Sequence, residues 1–293
     1  MTTPYRWIIG LPVWGDRYVD LARNVSLPCI TAALNRSKLP AHLVIHTDLP
    51  PEAFGTHTRF SLEFRPIKHR GWHQYSLAHF DVCRLAMPGD FVSLLPADAA
   101  ISREFFTFCE TRLAAGMTLV AAEGSRTYAE EYPPIGVSGQ ELTDWSIEHL
   151  HQCMRDCFWG TGRTLIHSTI YFADGDNLVK HCFHVGPMGF VVDGRQYKLG
   201  GDSSDGSFMD SFRSEEVHVA QPSELAIIEC SPEEKSFGIR PEPFTHQHVV
   251  EWAKGNATPN HCATFRQPIV LQGVDTGKSR YPVSRILAAL GHP

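Results

Sequence analysis

Short runs of apolar residues alternate with segments of helical periodicity through the first half of the chain. Most of these runs are uninterrupted, which is typical of strands that helices cover on both faces of a sheet. They predict strands at residues 5–13, 41–48, 60–66, 91–95 and 118–122. Between them, helices are predicted at residues 16–35, 75–85 and 103–115, and Pro28 predicts a kink in the first helix or its division in two. The alternation predicts βα repeats and a largely parallel sheet.

The pattern changes after residue 127. Residues 128–139 are rich in Pro and Gly and predict a loop that is either a boundary or a flap. Beyond it, the spacing of apolar residues predicts a helix at 141–159, a strand or extended loop at 181–192, and helices at 248–253 and 285–290. We therefore predict an α/β fold, with a Rossmann-type, mostly parallel sheet flanked by helices and a mixed α+β C-terminal half.

Composition and charge narrow the class of protein. Of the 293 residues, 43% are hydrophobic and 20% are charged, so the chain can bury a large core. A net charge of -6 provides no basic surface and argues against nucleic acid as the main partner. No apolar run is long enough to span a membrane, and the first residues lack the pattern of a signal peptide. We therefore expect a cytoplasmic protein with no transmembrane segment.

The eight cysteines are scattered and form no CxxC pair, which predicts reduced, buried thiols. Cys153 and Cys157 are four residues apart on the predicted helix at 141–159 and share one of its faces. Zinc would need a second pair of ligands at a similar spacing, and the sequence has none.

An acid follows the predicted strand at 91–95. This strand leaves through Pro96 and reaches a lone carboxylate, Asp98, after which Ser102 is placed to cap the helix at 103–115. In open α/β sheets, ligands bind in the crevice beyond the carboxyl ends of the strands. Asp98 is therefore the first candidate for chemistry.

Two other predicted strand ends carry candidate ligand-binding residues. Trp14 and Asp16 follow the first strand, and Asp48 ends the second. A βαβ unit places both ends on one rim, where the acid can accept hydrogen bonds from ribose hydroxyls and the aromatic ring can stack on a base. The alternative is that these residues form turns or caps. Neither GxGxxG nor GxxxxGK[ST] occurs, so no nucleotide fingerprint supports the first interpretation.

Cations cluster where the third strand leads into a helix. Lys68, His69 and Arg70 lie in that connection. Cationic side chains and the free N–H groups of a helix start can bind a diphosphate together. A solvated turn is the alternative interpretation.

Acids and glycines are concentrated at residues 200–210. Asp202, Asp205 and Asp210 lie there with three glycines, at a spacing that differs from an EF-hand. Glycines permit close approach of the backbone to a ligand, and the acids can bind a sugar or a cation.

These segments together resemble a known superfamily. The strand ends Pro12 to Asp16, Thr47-Asp48 and Leu94 to Asp98, followed by His184 to Pro187 and the acids at 202–210, look like a bacterial glycosyltransferase-like protein with the GT-A nucleotide-diphospho-sugar transferase fold. The likeness extends over residues 5 to about 230 in layout, and no single motif is diagnostic. It implies a nucleotide-binding half at 1–127 and an acceptor-side half with C-terminal helices at 128–293, in one continuous domain.

The resemblance also implies roles for the candidate residues. The nucleotide-sugar donor would contact Trp14, Asp16, Asp48, Lys68, Arg70 and Asp98, and Asp202 or Asp205 would act as the base for a hydroxyl acceptor. The DxD motif of the superfamily holds a divalent metal, Mg²⁺ or Mn²⁺, but here Pro96 replaces its first acid. A metal site would thus consist of Asp98 completed by His184 or His261. The implied activity is sugar transfer in bacterial surface polysaccharide or glycoconjugate synthesis.

Two other classes of function remain open from the sequence. One is a metal-dependent hydrolase, although HExxH and GxSxG are absent. The other is a non-catalytic module that binds a nucleotide or a sugar, which the missing acid at position 96 favours. The sequence indicates no oligomeric state.

Overall fold

The structure is a computed structural model. It describes residues 5–55, 58–67, 72–127, 131–149, 169–183, 185–198, 206–230, 246–274, 277 and 281–291. The strands in these residues are β1 (Trp7–Val13), β2 (Ala41–Thr47), β3 (Ser61–Pro66), β4 (Phe91–Leu94), β5 (Ala99–Ile101), β6 (Leu119–Ala122), β7 (Ser125–Arg126), β8 (Thr169–Asp174), β9 (Asn177–Cys182), β10 (Gly186–Val191), β11 (Val217–Val219), β12 (Ile227–Glu229) and β13 (Ile269–Gln272).

The helices follow the predicted alternation in the first half. They are α1 (Asp16–Leu21), a π-helical turn (Ala22–Ser26), α2 (Leu27–Leu34), α3 (Trp72–Leu85), α4 (Phe105–Ala114), α5 (Gly139–Glu148), α6 (Gly206–Met209), α7 (His246–Asn256), α8 (Pro259–Phe265) and α9 (Val283–Ala289), with short 3-10 turns at Pro51–Phe54 and Ser214–Glu216. None of the helices in these ranges is long and apolar enough to cross a membrane.

A seven-stranded sheet forms the centre of the fold. Its order is β11-β6-β10-β4-β1-β2-β3, and every strand runs parallel to the others except β10, which is antiparallel to both of its neighbours. The predicted fold class is confirmed: an α/β protein with a mostly parallel sheet flanked by helices and a mixed C-terminal half.

Helices cover both faces of this sheet. Every residue of β1 is buried, and alternate side chains point to opposite faces. Trp7 and Ile9 pack in the core cluster on the face of α1, α2 and α4. Ile8 packs on the other face with Val82 of α3. A Cβ atom on Gly10 would lie 2.8 Å from Cγ2 of Val82, so only glycine allows α3 to pack this closely on β1.

The first helical region is continuous in spite of Pro28. The π-helical turn at Ala22–Ser26 joins α1 to α2 directly. Proline has no N–H to donate into the preceding turn, and the wider π turn is a known way for a helix to accommodate such a break. The sequence predicted a kink or two helices here, and the structure has a π turn immediately before the proline.

Two small sheets flank the central one, and the sequence did not predict them. One has the order β5-β12-β7 and the other β13-β9-β8. The segment predicted as one strand or loop at 181–192 contains the end of β9 and all of β10, which belong to different sheets. The predicted cap is also wrong: α4 starts at Phe105, and the hydroxyl of Ser102 accepts a hydrogen bond from the amide of Ala226 instead (3.2 Å).

The predictions for the thiols and the tail are confirmed where the structure describes them. Six cysteines, at 29, 83, 109, 182, 230 and 262, are buried and free. Cys153, Cys157 and most of the predicted helix at 141–159 lie outside the described residues. The two predicted tail helices correspond to α7 and α9.

Candidate functional site

One edge of the central sheet collects most of the polar strand ends. Because β1, β2, β4 and β6 run in the same direction, the residues that follow them lie along the same edge. The structure places four of the predicted residues there: Trp14, Asp16, Asp48 and Asp98. Five others, Lys68, Arg70, His184, Asp202 and Asp205, lie outside the described residues and remain predictions.

The turn between β1 and α1 begins this edge. Gly15 has a φ of 77°, a conformation that favours glycine, and it brings Asp16 into the first turn of the helix. A carboxylate in that position is stabilised by the helix dipole. The ring of Trp14 is half-buried and packs edge-on against Tyr75 of α3, with centroids 6.3 Å apart.

Asp48 lies directly beside this turn. Val13 and Thr47 are partners in the register of β1 and β2, so Trp14 and Asp48 are the next residues on adjacent strands. Thr47 fixes the end of β2: its hydroxyl accepts from the amide of Leu49 (3.1 Å) and its carbonyl from the amide of Ile67 (3.1 Å). Asp48 itself is exposed. The half-buried ring of Trp14 and the exposed Asp48 therefore follow the ends of two paired strands.

The loop that carries Asp98 is held from both sides. Ser26 of the π turn donates from its hydroxyl to the carbonyl of Ala97 (2.7 Å), and the amide of Cys230 donates to the carbonyl of Asp98 (2.8 Å). The residue is only 7% exposed. Burial and, to a lesser degree, the charge of Asp98 raise the pKa of the Cys230 thiol to about 12, which keeps that thiol protonated. The backbone at Asp98 is thus fixed between β4 and β5, and its side chain is buried.

A buried histidine that the sequence analysis missed supports the rim near Asp48. His46 of β2 is bonded through Nε2 to Oδ2 of Asp81 on α3 (2.9 Å), and Arg65 of β3 forms an ion pair with the same carboxylate. Burial lowers the pKa of His46, against the hydrogen bond and charge of Asp81. Burial also raises the pKa of Asp81, but the hydrogen bonds from His46 and Arg65 outweigh it, so that the net shift is downward.

A second missed pair lies at the end of β6. The ammonium of Lys180 on β9 forms an ion pair with Glu123, and their side chains are 2% and 9% exposed. They line a cavity of about 10 Å³, room for about one water, together with Ser125 and Thr143. Burial lowers the pKa of Lys180 to about 8. The strand-end position of Glu123 was visible in the sequence, but nothing there indicated Lys180 as its partner.

Of the residues expected to hold a metal, the structure describes Asp98 and His261. Among the described residues, no three His, Cys, Asp or Glu side chains are grouped so that they could hold a metal ion. Asp98 supplies one carboxylate, a ligand type that Mg²⁺ and Mn²⁺ accept, and Mg²⁺ commonly takes one or two carboxylates with phosphate oxygens and waters. His261 lies in the first turn of α8, where its Nδ1 bonds to the hydroxyl of Thr258 (2.8 Å).

Comparisons with known proteins yield a likeness in fold. No family model matches the sequence, and no curated protein matches it. One crystal structure of S. aureus TarS is similar over 88% of this chain and 68% of its own, with a TM-score of 0.42 and 10% identity. Another is similar over 46% of this chain and 25% of its own, with a TM-score of 0.31 and 12% identity. The likeness concerns the fold alone.

Proposed function

We propose that this protein is a glycosyltransferase that moves a sugar from a nucleotide-sugar donor to a hydroxyl acceptor. The observation that carries the proposal is the buried Asp98, on a loop whose backbone is held from both sides, at the same sheet edge as Trp14 and Asp48. This edge includes the point where the strand order reverses between β1 and β4, which is where open α/β sheets bind ligands. The more specific role, in bacterial surface polysaccharide or glycoconjugate synthesis, follows from the resemblance of the sequence to glycosyltransferase-like proteins.

In this proposal the nucleoside binds at the end of β1 and β2. Trp14 is held edge-on by Tyr75, which leaves its half-buried ring in a fixed orientation for a base. The carboxylate of Asp48 accepts hydrogen bonds from the ribose hydroxyls. The His46, Asp81 and Arg65 contacts keep β2, β3 and α3 in register beneath this site.

The chemistry requires that the negative charge on the leaving diphosphate be neutralised. The acceptor oxygen attacks the anomeric carbon, the bond from that carbon to the diphosphate oxygen breaks, and Asp202 or Asp205 takes the acceptor proton. Asp98 would hold a divalent metal, which supplies the positive charge that stabilises the departing diphosphate. Lys68 and Arg70 follow β3 in the chain and are the alternative source of that charge.

A thermal-shift screen with UDP-, GDP-, CMP- and dTDP-sugars, with and without Mn²⁺, tests this function, and turnover is measured for any donor that stabilises the chain. Stabilisation by a nucleotide-sugar with turnover supports the transferase. Stabilisation without turnover indicates a non-catalytic binding module. The presence of Pro96 where the DxD motif has its first acid favours this alternative. Stabilisation by metal alone indicates a hydrolase.

The proposed base is tested separately. Asp202→Asn or Asp205→Asn should lower turnover while donor affinity stays nearly constant, because the base acts on the acceptor. Asp176→Asn, in the exposed turn between β8 and β9, is the matched control and should retain full turnover. Full activity in both test variants would exclude this pair of acids.

A further inference from the structure

A surface loop lies along the first helical region on the side of α1 and α2. The phenol of Tyr132 donates a hydrogen bond to Oδ2 of Asp20. Four residues later, Gly136 passes close to α2, since a Cβ atom on it would lie 3.6 Å from Cβ of Ala32. The loop is therefore fixed to the helix at two points.

Three side chains on this surface hold one another in place. Asn24 donates from Nδ2 to Oδ1 of Asp20 (2.8 Å), and Tyr132 donates to the other oxygen of the same carboxylate. Tyr132 is nevertheless 46% exposed, and Ile135, three residues later in the loop, is 47% exposed. Exposed side chains lose conformational entropy when they are ordered. A flat aromatic face with a carboxylate and an amide, ordered before any ligand arrives, is the arrangement that lowers the cost of binding.

This cluster of Tyr132, Asp20 and Asn24 adjoins the Asp98 loop. Ser26, two residues after Asn24, donates to the carbonyl of Ala97. Cys230, whose amide donates to the carbonyl of Asp98, accepts a hydrogen bond through Sγ from the hydroxyl of Thr127, five residues before Tyr132 (3.9 Å). The helical region that carries Asp20 and Asn24 and the strand that precedes the Tyr132 loop are thus each bonded to a residue that lies in, or holds, the Asp98 loop.

The cluster lies on one face of the sheet, and the helix that packs against Trp14 lies on the other. The buried side of α1 packs in the same core cluster as Trp7 and Ile9. The helix that carries Tyr75, the partner of Trp14, packs through Val82 in the core on the other face. Asp98 follows β4 at the sheet edge that borders both faces.

We infer that Tyr132, Asp20 and Asn24 form a subsite for a pyranose ring of the acceptor, an inference that rests on the proposed transferase function. The C–H face of a pyranose stacks on the exposed phenol ring. Its hydroxyls donate to the carboxylate of Asp20 and to the amide oxygen of Asn24. The hydroxyl that receives the transferred sugar would then itself belong to a sugar.

Fluorine NMR of the full chain tests the subsite directly. The eight tyrosines are replaced with 3-fluorotyrosine, and the signal lost in Tyr132→Phe identifies Tyr132. Methyl β-glucopyranoside, methyl α-mannopyranoside and chitobiose are the probes. At least one should shift the Tyr132 signal saturably, and affinity for that probe, followed by saturation-transfer NMR, should fall about tenfold in Tyr132→Ala and several-fold in Asp20→Asn.

Tyr5→Ala is the matched control, because Tyr5 is 51% exposed but precedes β1 and so lies at the opposite edge of the sheet. It should bind the same probe with unchanged affinity. A Tyr132 signal that no probe shifts, or equal affinity in Tyr132→Ala, would overturn the subsite.

Failure of the subsite and failure of the transferase give different results. If a nucleotide-sugar is turned over and Tyr132→Ala leaves the acceptor KM unchanged, the subsite is wrong and the transferase stands. If no nucleotide-sugar binds but a probe shifts Tyr132, the transferase is wrong, and the cluster is the sugar site of a binding module. If the transferase function and the acceptor subsite are both correct, Tyr132→Ala should raise the acceptor KM about tenfold and leave donor affinity unchanged.

Discussion

The hydroxyl of Ser26 donates a hydrogen bond to the carbonyl of Ala97, 2.7 Å away, and so ties the π turn to the loop that carries Asp98. Both groups are buried. Removing the donor leaves a buried carbonyl unsatisfied, and Ser26→Ala should therefore lower the free energy of unfolding by about 1–3 kcal/mol in urea titration.

The control for this change is Thr31→Ala on the same helical region. The hydroxyl of Thr31 bonds to the carbonyl of Leu27 (2.8 Å), which the helix also satisfies from its backbone. Its loss should alter stability by less than about 0.5 kcal/mol. Equal stabilities of the two variants would show that Ser26 does not hold the loop.

Asp98 should bind a divalent metal only in the presence of donor phosphates. A single carboxylate is a weak site alone, but phosphate oxygens complete the coordination. Calorimetry should thus show appreciable Mn²⁺ binding with the nucleotide-sugar and little without it, and Asp98→Ala should abolish the difference.

Asp90→Asn is the comparison, since Asp90 precedes the same strand at its other end and pairs with Arg6 (3.1 Å). The cooperative metal binding should survive this change. Tight donor binding in EDTA, with activity intact in Asp98→Ala, would transfer the neutralising role to Lys68 and Arg70.

His46 should make stability depend on pH in a defined window. Its folded-state pKa is lowered from 6.5 by burial, so below that pH the unfolded chain binds a proton that the folded chain resists. The stabilisation is complete above about pH 6.5 and is lost as the pH falls towards the folded pKa. Its Nδ1 has no hydrogen-bond partner among the described residues, and a proton there would leave a buried donor unsatisfied, at a cost of about 1–3 kcal/mol.

The measurement is the free energy of unfolding at several pH values between 7 and 5. It should fall less in His46→Gln than in the native chain, because glutamine can still donate to Asp81 and does not titrate. Protonation of Asp81 does not explain a loss of stability between pH 7 and 5, because the pKa of Asp81 is lowered below 3.8. Parallel curves for the two proteins would rule out His46 as the titrating group.

The pair of Lys180 and Glu123 should show strong coupling. Removing one partner leaves the other as an uncompensated buried charge, so Lys180→Met and Glu123→Gln should each cost about 3–5 kcal/mol in urea titration. The double variant should cost far less than their sum, since no buried charge remains.

The exposed pair of Arg213 and Glu215, with side chains 72% and 68% exposed, is the control. Its coupling should be under about 1 kcal/mol because water screens both charges. Additive costs at Lys180 and Glu123 would mean that the two charges do not depend on each other.

The central sheet could be predicted because its strands carry their own signal. A run such as Trp7–Val13 is apolar throughout, since both faces are covered. The sheet β5-β12-β7 gives no such signal. Ala99–Ile101 and Ser125–Arg126 are three and two residues long, and the strand that joins them, Ile227–Glu229, lies about a hundred residues away. Their pairing is set by tertiary contact and not by local periodicity.

The residues of the candidate site also differ in whether local sequence or a distant partner reveals them. Trp14, Asp48 and Asp98 were found because each follows a strand, and strand direction alone places them on one edge. His46 and Lys180 were missed because each lies inside a strand, and its importance depends on a partner from a distant element. A buried charge in a strand becomes visible only when the opposing side chain is known.

The antiparallel strand β10 also has a consequence for synthesis on the ribosome. It is inserted between β4 and β6, which are complete by residue 122, yet it begins only at Gly186. Until the ribosome has released that segment, the hydrogen-bonding edges that β4 and β6 offer to it have no partner. Unpaired strand edges are sites of aggregation. We therefore expect a nascent chain that has completed β6 but not yet β10 to need a chaperone.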